Sequence, residues 1–164
     1  MKGLVHIYEG TGKGKSTAGV GLTIRCAGNG FPVVYSQFLK DGTTGEMNIL
    51  RKIPNITVLV EEHHFGFSFL MTPEEKVEAK AAYTALFEKV KAAAVEQNAR
   101  LLVMDEMLDL CNAELIDTAM VVDFLKNRPE QLEVVMTGRN PKPELVELAD
   151  YITNMNAVKD RKST

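Results

Sequence analysis

Between an apolar run and a helical pattern lies the glycine-rich stretch YEGTGKGKSTAG, Tyr8 to Gly19. A chain that turns through glycines from strand into helix can point successive backbone N–H groups inward at one anion. The helix adds the positive end of its dipole at the same spot. Lys15 supplies a point charge, and the Ser16 hydroxyl is a ligand for Mg²⁺. This reads as a phosphate loop. The usual pattern, G-x-x-x-x-G-K-[ST], places glycine where this chain has Glu9, which is read as the end of the strand. A bland glycine-rich turn is the alternative, but such a turn does not need Gly-Lys-Ser at the helix start. Lys13 brings a second lysine within reach of the same anion.

The rest of the chain alternates short β-rich runs with helical patterns. Strands are predicted at Gly3 to Tyr8, Pro32 to Phe38, Ile56 to Glu61, Arg100 to Glu106, Leu132 to Gly138, and in DYITNM. Helices are predicted from Lys15 to Ala27, within TGEMNILRK, from Thr72 to about Gln97, from Asp117 to Asn127, and in PELVELA. Thr72-Pro73-Glu74-Glu75 forms a capping box with proline at the first helical position. Val77, Ala81, Tyr83, Leu86, Phe87 and Val90 recur at helical spacing and are expected to face the core. Alternation of this kind implies βαβ units with right-handed crossovers. The expected fold is α/β, with three layers around a mainly parallel sheet of about six strands. Such sheets bind ligands beyond the carboxyl ends of their strands. The loops after Tyr8, Phe38, Glu61, Glu106 and Gly138 are therefore the candidate site loops.

LLVMDE is an apolar strand ending in two acids. Beside a phosphate loop, Asp105 and Glu106 are placed to hold a bridging metal. A strand end with solvated acids is the alternative. At 164 residues and 45% hydrophobic content, the chain is expected to form one domain, spanning residues 1–164. The net charge of −3 argues against a general nucleic-acid binder. Lys159, Arg161 and Lys162 read as a solvated tail. No apolar stretch approaches the roughly 20 residues of a membrane span. Cys26 and Cys111 form no C-x-x-C pair and read as reduced thiols of a cytoplasmic protein. His63 and His64 are adjacent in one loop, a poor arrangement for converging on one metal.

With these elements placed, the chain resembles the phosphate-loop ATP:corrinoid adenosyltransferases. That family's loop reads G-x-G-K-G-K-[ST]-T, as in Gly10, Thr11, Gly12, Lys13, Gly14, Lys15, Ser16 and Thr17. Its first position is not glycine either. Further matches are Arg25 with Gly28, QFLKD after the second strand, Gly45-Glu46 with Asn48, and GFSF at Gly66 to Phe69. Asp105-Glu106, TGR at Thr137 to Arg139, and ELADYITNM complete them. They span about Gly3 to Lys159.

The resemblance implies a P-loop NTPase fold of the RecA-like type. It implies ATP, with Mg²⁺, and a corrinoid as substrates. ATP lies reversed in that family, so a Co(I) corrinoid attacks the ribose C5′ and the whole triphosphate leaves. The implied catalytic residues are Lys13 and Lys15. The implied nucleotide contacts are residues 10–17 together with Arg25 and Arg139, and the implied metal ligands are Ser16, Asp105 and Glu106. From the residues alone, Arg25 is equally a salt-bridging side chain. Phe67 and Phe69 match an aromatic pair that strips the lower axial ligand from cobalt. Without the resemblance, Phe65, Phe67 and Phe69 read as a buried or loosely packed loop. The second position is often Trp in the family, so Phe69 is expected to alter fit or preference. An electron-donating protein and a homodimer are further implications. The family's extra N-terminal helix and its continuation after the last strand have no counterpart here, which implies a more open site. An ordinary ATPase or kinase, and a binding module without turnover, are the rival readings.

Overall fold

The computed structural model describes residues 1–161. Six strands form one sheet: β1 (Val5–Glu9), β2 (Val33–Gln37), β3 (Ile56–Val60), β4 (Leu101–Asp105), β5 (Glu133–Gly138) and β6 (Tyr151–Asn154). Their spatial order is β3-β2-β4-β5-β1-β6, and every neighbouring pair is parallel. The sheet is thus parallel throughout, and all strand ends that follow β1 to β6 open on one edge. β5 lies between the glycine-loop strand β1 and the acid-bearing strand β4.

The helices are α1 (Lys15–Gly28), α2 (Gly45–Leu50), α3 (Pro73–Glu96), α4 (Met107–Asn112), α5 (Thr118–Asn127) and α6 (Pro143–Leu148), with one 3-10 turn at Ser68–Leu70. They cover both faces, as a parallel sheet requires. On β4, Leu102 and Met104 pack with Phe87 and Val90 of α3 and Phe124 of α5. Leu101 and Val103 point to the other face, where Ala27 of α1 and Met47 and Leu50 of α2 meet Tyr35 of β2. The period-2 alternation of a strand therefore builds two cores from one apolar run. Among the described residues no helix is long and apolar enough to cross a membrane.

The capping box is present: Glu75 N–H donates to Thr72 Oγ1, and Thr72 N–H donates to Glu75 Oε2. The expected core face of α3 needs correction at its start. Val77 and Ala81 are exposed, and the buried line runs Ala79, Tyr83, Leu86, Phe87, Val90, Ala94. Val77 is two residues from Ala79 and Ala81 two from Tyr83, so both fall on the opposite face of the helix from the buried line. Helix α4 was not expected from sequence. It leaves β4 directly through Glu106, whose φ of 64° lies in the left-handed region. The expected solvated tail is exposed at Lys159 and Arg161, and Lys162 lies outside the described residues.

Candidate active site

The glycine loop is folded as a cradle. Gly14 immediately precedes α1 with a φ of 107°, a conformation that side chains disfavour. No side chain caps α1, so its first N–H groups are left to face the mouth of the loop. Gly10 has a φ of 119°, and a Cβ there would lie 2.5 Å from the Met155 carbonyl oxygen. That carbonyl accepts a hydrogen bond from Gly12 N–H at 2.6 Å, and Met155 N–H donates to the Glu9 carbonyl at 2.7 Å. The back of the loop is thus stitched to the residue after β6.

Glu9 is the last residue of β1, as expected, and it has a task that glycine could not perform. Its carboxylate accepts a 2.5 Å hydrogen bond from Asn154 Nδ2 at the end of β6. Lys15 Nζ donates to the Gly12 carbonyl at 2.7 Å, which folds the lysine over the loop.

A mouth of about 390 Å³ is lined by Thr11 to Thr17 together with Glu106, Arg139 and Asp160. The structure therefore brings Lys13, Lys15, Ser16, Thr17, Glu106 and Arg139 to one place. Asp105 lies beneath, fully buried at the end of β4. Its Oδ1 accepts from Ser16 Oγ at 2.8 Å and from Thr137 Oγ1 at 2.6 Å. Thr137 Oγ1 in turn accepts from Glu106 N–H at 2.9 Å, which helps hold the left-handed turn at Glu106. That backbone state costs about 1–2 kcal/mol in a residue with a Cβ.

One residue of this cluster was missed from sequence as a site residue. Lys40, in the QFLKD loop after β2, sets its ammonium 3.2 Å from Asp105 Oδ2, 3.6 Å from Glu106 Oε1 and 3.4 Å from Ser16 Oγ. Burial works against the Lys40 charge, but Asp105 and Glu106 outweigh it and raise its pKa. The Glu106 carboxyl is pushed up to about 7. Burial is the main cause, and the neighbouring acids Asp105 and Asp109 add to it against the opposing Lys40 charge. Lys40 is shared by two carboxylates, Asp105 and Glu106, and the Glu106 carboxyl also hydrogen-bonds the Asp109 side chain.

Arg25 is a correction. It lies in the last turn of α1, ten residues beyond Lys15 and so about 15 Å along the helix axis. It lines a cavity with Cys26, Phe31, Arg100 and Glu133, at the opposite edge of the sheet. The structure does not bring it to the loop. His63 and His64 join no metal cluster: among the described residues no group of three or more His, Cys, Asp or Glu side chains is placed to hold a metal. His63 instead packs its ring edge-on to Phe65.

Phe65 packs against the core, tilted on Tyr83. Phe67 and Phe69 behave differently. They are 70% and 77% exposed and stack on each other, with ring centroids 5.5 Å apart and an interplanar angle of 20°. Leu70 beside them is equally exposed. The turn at Ser68–Leu70 sets this spacing, since Leu70 N–H donates to the Phe67 carbonyl. The three apolar side chains form an open platform after β3. β3 and β1 are four strand positions apart, about 19 Å at the usual spacing.

The sequence from residue 1 to 163 matches the family described as ATP:corrinoid adenosyltransferase BtuR/CobO/CobP. The chain belongs to this family. A corrinoid adenosyltransferase of Sinorhizobium sp is 34% identical over 160 residues, covering 96% of this chain and 74% of that one. The corrinoid adenosyltransferase of Pseudomonas aeruginosa is 29% identical over 159 residues, covering 96% and 77%. That of Salmonella typhimurium is 28% identical over 160 residues, covering 96% and 79%. In this adenosyltransferase Glu9 ties the end of β1 to Asn154 at the end of β6, beside the glycine loop.

Proposed function

We propose that this adenosyltransferase moves the 5′-deoxyadenosyl group of ATP to the Co(I) centre of a corrinoid and releases triphosphate. The observation that carries this reading is the mouth at the end of β1. It gathers two lysines, an arginine, uncapped helix N–H groups and the Ser16–Asp105–Glu106 cluster around space for an anion.

The cluster fits a divalent metal, because it already attracts a cation: the Lys40 ammonium sits among its oxygens. Ser16, Asp105 and Glu106 would hold Mg²⁺, which supplies charge neutralisation to the triphosphate when bound. A site with few protein ligands suits this ion, which takes its remaining positions from phosphate and water.

Negative charge grows on the triphosphate as the bond from C5′ to oxygen breaks. Lys13, Lys15, Arg139 and the amides of residues 15–17 line the mouth where that charge develops, so they stabilise it electrostatically. Lys15 exchanges its bond to the Gly12 carbonyl for the anion. No general base is required, since the nucleophile is a reduced metal with an available electron pair. The two ends of ATP then lie along the strand edge. The triphosphate is held at β1, and adenosine extends toward the loops after β2 and β3.

The Phe67, Phe69 and Leu70 platform is the proposed corrinoid face. Apolar rings packed beneath cobalt deny it a lower axial ligand, which eases reduction to Co(I). An external electron donor must supply that electron, and a cytoplasmic reductant protein fits the requirement.

Phosphorus NMR of the reaction products tests the reading. The account expects intact triphosphate as the phosphate product. ADP with inorganic phosphate would instead identify a hydrolase or kinase.

A further inference from the structure

The ammonium of Lys40 stands where the metal of a phosphate loop belongs. It is 3.2 Å from Asp105 Oδ2, 3.4 Å from Ser16 Oγ and 3.6 Å from Glu106 Oε1. These are the same oxygens assigned above to Mg²⁺. An ammonium and a divalent ion cannot both occupy them, because like charges at such distances repel strongly in a partly buried site.

We propose that Lys40 is a built-in counter-cation that closes this cluster to free divalent metal, and that it yields only when the metal arrives on a triphosphate. The proposal rests on the phosphate-loop reading above.

The charge balance gives the reason. A free metal ion would have to expel Lys40 from two carboxylates into solvent, with no new partner for the ammonium. A metal triphosphate brings its own anionic oxygens, so the displaced ammonium exchanges one set of acceptors for another. The side chain is built for the exchange. Its stem is flexible, its side chain is 32% exposed, and it hangs from a loop rather than a helix. Lysine is a compact point charge with no fixed hydrogen-bond fork, so it can let go of one carboxylate at a time. The loop also enters from β2, which lies between the strands carrying the glycine loop and the aromatic platform. On release, Lys40 is therefore on the side of the triphosphate from which the adenosyl group departs. It is a positioning residue for metal and triphosphate together, and it makes metal binding conditional on nucleotide.

Electron paramagnetic resonance with Mn²⁺ reads this without turnover. Wild-type protein, K40M and K40R are titrated with Mn²⁺ alone and with Mn²⁺ plus inorganic tripolyphosphate. K40M is expected to bind free Mn²⁺ about 10-fold more tightly than wild type, a coupling of ordinary size for linked sites. K40R keeps the charge and is expected to bind free Mn²⁺ as weakly as wild type. Tripolyphosphate should raise the Mn²⁺ affinity of wild type by a larger factor than that of K40M. Equal affinity of wild type and K40M for free Mn²⁺ overturns the proposal, as does K40R binding as tightly as K40M. Failure of all three proteins to bind Mn²⁺ with tripolyphosphate contradicts the phosphate-loop reading itself, and removes the proposal with it.

Discussion

Ser16 and Asp105, 89 positions apart in the chain, meet through a 2.8 Å hydrogen bond in which the serine hydroxyl donates to the carboxylate. The bond joins the first turn of α1 to the end of β4 across the intervening strand β5. It fixes a hydroxyl and a carboxylate as neighbours before any ligand arrives. In D105N the side chain keeps its shape but loses its charge. Isothermal titration should show that wild type binds ATP much more tightly with Mg²⁺ than with a chelator, and that D105N loses most of this difference. A full metal effect in D105N would remove Asp105 from the metal site.

Lys15 is the loop's inner lysine and Lys13 its exposed one. Both are assigned to the charge on the departing triphosphate. K15A is expected to lower kcat/KM about 10²–10³-fold, the usual size for a lost transition-state donor. Steady-state kinetics with saturating corrinoid measures it. Unchanged kinetics would take the loop out of the chemistry.

Arg25 sits at the far end of α1, with Arg100 and Glu133 rather than with the loop. R25A is therefore expected to leave the dissociation constant for MgATP within about twofold of wild type, the effect of a surface change remote from the ligand. A large loss of affinity would contradict the placement of this residue.

The strands, the capping box and the loop were legible because each is a local pattern. β4 is an apolar run ending in acids, and α3 begins Thr-Pro-Glu-Glu. Glu9 shows the limit of such patterns. Its carboxylate meets Asn154, a partner 145 positions away, and a motif cannot state that. Lys40 was invisible for a related reason. A lysine in a loop has no periodicity, and only the parallel pairing of β2 with β4 brings it to Asp105. Helix α4 escaped because it starts from a left-handed glutamate, with neither cap nor proline to announce it. Val77 and Ala81 do not share a face with Tyr83 and Leu86: the buried stripe is set by Ala79, a small residue that an apolar pattern passes over.

Glu106 gives a pH dependence whose sign is fixed by its surroundings. Its pKa is raised from the ordinary 4.5 to about 7, mainly by burial. Between these values the folded protein holds a proton that the unfolded chain has lost. Stability from this group therefore falls as pH rises from about 4.5 to about 7, then levels off. E106Q cannot titrate there. In metal-free buffer, urea unfolding should show wild type losing stability relative to E106Q across this window. A constant difference across the window would show that Glu106 is not held in this state.

The stacked pair Phe67 and Phe69 is assigned to the corrinoid and to the removal of its lower ligand. F67A should slow the reaction of cob(II)alamin with reductant more than the reaction of pre-formed cob(I)alamin. Equal slowing of both would leave the platform as a binding surface without the ligand-stripping role.

The central claim is that carbon, not phosphorus, is transferred from ATP. Under anaerobic conditions the protein is mixed with MgATP and chemically reduced cob(I)alamin, and both products are counted. The account predicts 5′-deoxyadenosylcobalamin and free triphosphate in equal amounts. Consumption of ATP to ADP and phosphate, with no cobalt–carbon product, would contradict it.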